Sequence, residues 1–138
     1  NQGASTGQLA NQLRNLDAAL VALKESLGSA WSRTVALVAT EFGREVAVNG
    51  TGGTDHGTGG AALLVGGAVQ GGRVLADWPG LAKAQRFEGR DLMITSDLRA
   101  VMKGVLADHL RWSGKAIEVA AFPNSGDVKG LRGLVRSA

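Results

Sequence analysis

The stretch TVALVATEFGREVAVNGTGGTDHGTGG, residues 34–60, decides how the chain is read. Its first seven residues, Thr34 to Thr40, are nearly all apolar and either β-branched or small, the composition of a strand buried on both faces. Such a strand calls for parallel neighbours and helical layers on each side. It ends in Glu41-Phe42-Gly43-Arg44. Ligands in open α/β sheets bind beyond the carboxyl ends of parallel strands, so Glu41 falls where chemistry is usually placed. A glycine-rich loop over residues 49–60 follows and carries Asp55 and His56 side by side. Its glycines let the backbone approach a ligand closely. A neutral imidazole beside a carboxylate is a reasonable ligand pair for a divalent metal.

Working outward, residues 5–27 read as an amphipathic helix. Leu9, Leu13, Leu16, Leu20, Leu23 and Leu27 alternate four- and three-residue spacings and share one face. Ser5 or Thr6 suits the start and Gly28 the left-handed stop. The flanking positions lack the paired charges of a zipper, so docking against a sheet is expected, with self-association through the Leu9–Leu27 face as the rival. Downstream, Ala61 to Val65 reads as a second strand, Arg73 to Ala76 as a hairpin-like excursion and Leu92 to Thr95 as a short strand. A second helix spans residues 97–110, with Asp97 at the positive end of its dipole and an apolar face running from Leu98 to Leu110. Residues 122–138 form a tail lying across the body. The order of elements predicts an α/β layered sheet with flanking helices in a single domain.

Composition narrows the classes. A hydrophobic share of 44% against 20% charged residues is that of a globular protein. The 21 glycines are twice the usual share of roughly 7%, and they cluster between Gly50 and Gly72 as loops and turns. The net charge of +3 comes without a dense basic stripe or interleaved aromatics, which argues against a nucleic-acid partner. No apolar run approaches the ~20 residues of a membrane span. With no cysteine, thiolate metal sites and disulfides are excluded.

Other candidates carry less. His109 falls near the end of the second helix, where the dipole stabilises a cation, and that explains it. Gly57-Thr58-Gly59-Gly60 fits a loose dinucleotide pattern, but the run after it is strand-like rather than helical. No Ser or Thr near these ends has a clear base beside it.

Taken in order, Asn1-Gln2-Gly3, Thr40-Glu41-Phe42-Gly43-Arg44, residues 49–57 (NGTGGTDHG), Gly66-Gly67, Gly71-Gly72-Arg73-Val74, Thr95-Ser96-Asp97-Leu98-Arg99 and Phe122-Pro123 are familiar. They resemble the bacterial domain of unknown function family 1501, relatives of the sulfatase and alkaline-phosphatase superfamily. The resemblance implies the C-terminal part of an alkaline-phosphatase-like fold, completed by a missing N-terminal part. It also implies an exported protein, periplasmic or extracellular, often sent out by a twin-arginine signal.

By position Glu41 resembles the superfamily's strand-end aspartate and His56 its later histidine. Phe42 stands where the strand-end histidine is expected, and a hydrocarbon ring cannot ligate a metal. The resemblance implies a divalent-metal site (zinc, manganese or calcium) using Glu41, Asp55 and His56, with Arg44 contacting an anionic phosphate or sulfate ester. The alternative is a binding or structural protein that keeps the fold without the chemistry.

Overall fold

The computed structural model describes residues 2 and 5–136. In chain order its elements are α1 (Gln8–Leu27), β1 (Ala36–Val38), β2 (Gly43–Arg44), β3 (His56–Gly57), β4 (Leu63–Val65), α2 (Leu98–Asp108) and a short α3 (Gly114–Ala116). Short 3₁₀ segments occupy Gly28–Arg33 and Lys83–Gln85, and a π-helical turn covers Ile117–Ala121. The class is mixed α/β with small antiparallel sheets: β1 pairs with β4 and β2 pairs with β3. Two compact units divide these elements. One comprises Asn1–Ser29, Ala39–Ala61 and Trp78–Thr95, the other Ala30–Val38, Ala62–Asp77 and Ser96–Ala138.

The expected doubly buried, parallel strand over residues 34–40 is corrected. Only Ala36–Val38 is strand, all three residues are half-buried, and the partner β4 runs antiparallel, with Leu37 opposite Leu64. The reason lies at both ends. Thr34 is drawn into the preceding turn by its N–H to the Trp31 carbonyl at 3.0 Å. Gly66 lies so close that a Cβ there would sit 2.0 Å from the Thr34 carbonyl oxygen, so β4 turns away at once. After Val38, the Thr40 hydroxyl donates to the Phe42 carbonyl at 2.8 Å and bends the chain.

α1 begins at Gln8 rather than at residue 5. Gly7 is its N-cap with no side-chain hydrogen bond, so neither Ser5 nor Thr6 caps it. Gly28 supplies the expected positive φ, 51°, at the end. None of its 20 residues is buried. α2 is capped as expected: the Asp97 side chain accepts from the Arg99 N–H at 2.8 Å. Among the described residues neither 73–76 nor 92–95 is strand. Among them, too, no helix is long and apolar enough to cross a membrane.

In the second unit Val69, Ile117 and Leu134 are buried. The tail is tied to its body: the Leu131 N–H donates to the Ala100 carbonyl and the Arg136 N–H to the Ala68 carbonyl, each at 2.8 Å. Residues 137 and 138 lie outside the described residues. Lys103, 5% exposed, sends its ammonium to the carbonyls of Ser125 and Val128 and so fixes the turn that starts the tail.

Candidate functional site

The site is built on the β2–β3 ribbon. Gly43 faces Gly57 and Arg44 faces His56 in register. Two glycines set how close the layers come. A Cβ on Gly43 would lie 1.6 Å from the Gly59 carbonyl oxygen, and one on Gly59 would lie 2.2 Å from that of Leu92. No side chain fits at either place.

Directly opposed residues of an antiparallel pair share a face. Arg44 and His56 therefore stand together, and Phe42, two residues before Arg44, joins them. The Phe42 and His56 rings are 4.2 Å apart between centroids, tilted by 42°. The Arg44 guanidinium carbon lies 5.9 Å from the Phe42 ring centre, within cation–π range. Arg44 Nη1 also donates to the Thr54 carbonyl at 3.1 Å.

Asp55 precedes His56 and lies just outside β3. Its Oδ1 accepts from Asn49 Nδ2 at 2.8 Å. The Asn49 side-chain oxygen accepts from the Thr51 N–H, the Thr51 hydroxyl and the Gly53 N–H, an Asx-type turn that fixes the loop. Glu41 is exposed at the bend before β2 and forms no ion pair among the described residues.

Glu41, Asp55 and His56 are thus not brought together. Among the described residues no group of three or more His, Asp or Glu side chains is placed to hold a metal ion.

Beside the ribbon lies a cleft of about 760 Å³. Gly43, Gly53, Gly59 and Gly60 contribute backbone to its wall. Carboxamides come from Gln2, Gln8, Gln12 and Asn49, and hydroxyls from Thr40 and Thr54. Arg44 is the charged group on its lining, which includes no described carboxylate. Gln2 Nε2 donates to the Thr54 hydroxyl at 2.9 Å, linking the start of the chain to the loop. Gln2 is the one described residue of the opening Asn1-Gln2-Gly3 motif.

One carboxylate escaped sequence reasoning. Asp91 is 2% exposed. Its Oδ2 accepts from the Thr58 N–H at 3.0 Å and from the Thr58 hydroxyl at 3.3 Å. Its Oδ1 accepts no well-angled hydrogen bond but lies 2.8 Å from Arg90 Nε as an ion pair. The side-chain hydrogen bond to Asp91, and next its Coulombic attraction, raises the Arg90 pKa above its ordinary value. Asp91 so anchors the loop whose Gly59 and Gly60 line the cleft. It sits in an irregular charged stretch without periodicity, and only the Arg-Asp-Leu succession at 90–92 hints at it.

Ribbon, glycine wall and cleft define a mixed α/β chain whose cleft carries one guanidinium and, among the described residues, no carboxylate on its lining. The chain belongs to the family described as protein of unknown function (DUF1501), whose model matches residues 3–119. No curated protein and no solved structure matches it.

Proposed function

We propose that this chain is the C-terminal part of an exported alkaline-phosphatase-like protein, and that its cleft receives the anionic head of a phosphate or sulfate ester. The observation that carries the reading is Arg44 standing as the charged group of a cleft otherwise lined by amides, hydroxyls, apolar side chains and glycine backbone. A guanidinium presents a rigid fork of donors that matches the oxygens of a phosphate or sulfate. Carboxamide NH₂ and hydroxyl groups add neutral donors. No described carboxylate on the lining opposes an incoming anion.

Two readings of the chemistry divide at Phe42. Its ring packs on His56 where the resemblance expects a second histidine, and this favours a protein that binds without turning over. Metal-dependent ester hydrolysis is favoured instead by Asp55, an exposed carboxylate already oriented by Asn49. A divalent ion would there supply charge stabilisation and an activated nucleophile. Glu41, Asp55 and His56 alone do not make its site.

Isothermal titration of the chain with phenyl phosphate and with phenyl sulfate tests the binding reading. Saturable binding that Arg44→Ala abolishes and Arg44→Lys weakens is expected. Equal heats from wild type and Arg44→Ala would contradict it.

A further inference from the structure

The chain exposes 9303 Å² of surface. A folded monomer of its 14.1 kDa exposes roughly 6,700 Å², and two separate folded halves of that mass together expose roughly 8,100 Å². Even the second comparison leaves more than the ~800 Å² that each partner buries in a standard interface. Part of the uncovered apolar surface lies on α1, which has no buried residue: Val21 is 49% and Leu23 40% exposed, and Leu16, Leu20 and Leu27 are half-buried.

We propose that the Leu16–Leu27 part of α1 pairs with the same segment of a second copy of this chain, antiparallel. The occupant is chosen by charge. The leucine spacing places Leu13, Leu20 and Leu27 at one core position of a heptad and Leu9, Leu16 and Leu23 at the other. Flanking the core on one side are Ala10, Asp17 and Lys24, and on the other Gln12, Ala19 and Ser26.

A parallel pair sets one flank against the other, so Asp17 meets Gln12 and Lys24 meets Ala19; no charges pair. An antiparallel pair sets each flank against itself. In the register that stacks Leu20 on Leu23 and Leu16 on Leu27, Asp17 faces Lys24 of the second copy, twice by symmetry. Ala19 and Ser26 then meet on the opposite side, small against small.

Sliding by one heptad brings Asp17 onto Asp17 and is disfavoured by like charge. Orientation and register are both selected by Asp17 and Lys24. Leu9 and Gln12 remain outside the paired segment, free to line the cleft of their own copy. The pairing is isologous and closes as a dimer.

The test is the mass of the chain in solution, by light scattering on a sizing column and by sedimentation over a concentration series. A dimer, twice 14.1 kDa, is expected, with Leu20→Asp returning it to monomer. Asp17→Lys and Lys24→Asp should each weaken the dimer severalfold, because each variant sets like charges against one another. Mixing the two variants should restore it. The lysine introduced in one copy then faces the aspartate introduced in the other, and the native Lys24 of the first still meets the native Asp17 of the second.

A wild-type monomer at all concentrations overturns the proposal, as does assembly that ignores both charge variants or their mixing. The test does not involve the cleft, so its outcome is independent of anion binding.

Discussion

Arg44 is oriented before any ligand arrives, by the Thr54 carbonyl on one side and the Phe42 ring on the other. That preorganisation makes its loss costly for an anion, and added salt should weaken binding further by screening. Asp97 offers a separate test. The Arg99 side-chain hydrogen bond, then the hydrogen bond from the Arg99 backbone N–H, holds its carboxyl below the ordinary value. Asp97→Ala should destabilise the chain by about 1 kcal/mol as a lost N-cap. A depressed folded pKa means the cap's contribution is complete above the ordinary range near ~4 and is lost as pH falls through the lowered value. Denaturant midpoints of wild type and variant should therefore converge in acid and stay apart at neutral pH. Single residues were legible where a local rule fixes them, as at Asp97 and Gly28. Asp91 was not, because its burial depends on Thr58, 33 residues away.

Helices carried their signal in the sequence. The leucine and valine spacings locate α1 and α2 to within three residues at either end, since a 3.6-residue period needs no knowledge of partners. The strands did not. Thr34–Thr40 has the composition of a buried central strand, yet Thr34 is held by Trp31 and Ala36–Val38 finds an antiparallel partner. Two-residue β2 and β3 carry no period at all. Their pairing rests on close approach at glycines, which predicts that Gly43→Ala destabilises the chain by about 3 kcal/mol through overpacking, read from chemical denaturation. In the second unit, Lys103→Met should leave the Ser125 and Val128 carbonyls without their donor and cost about 2 kcal/mol in the same assay. A variant as stable as wild type would show that water satisfies those carbonyls.

At the scale of the whole molecule, the candidate site was half legible. Sequence reasoning singled out Arg44, Asp55, His56 and the glycine-rich loop, because glycine-rich loops beside apolar runs mark places where backbone approaches a ligand, but not the pairing of β2 with β3. One metal centre was expected; among the described residues Asp55 bonds to Asn49 and the His56 ring packs on Phe42, and no three such donors gather. The cleft was invisible to a linear reading, since its walls come from residue 2, from α1, from two loops and from Leu92.

If the glycine-walled cleft beside Arg44 receives an anionic head group, the backbone around it must respond to one. Amide chemical shifts followed by NMR while the chain is titrated with inorganic phosphate test this most directly. Saturable shifts concentrated at Gly43, Arg44, Gly53, Gly59 and Gly60 are expected, together with their disappearance in Arg44→Ala. Shifts that never saturate, or that centre on the basic residues of the C-terminal tail instead, would contradict it.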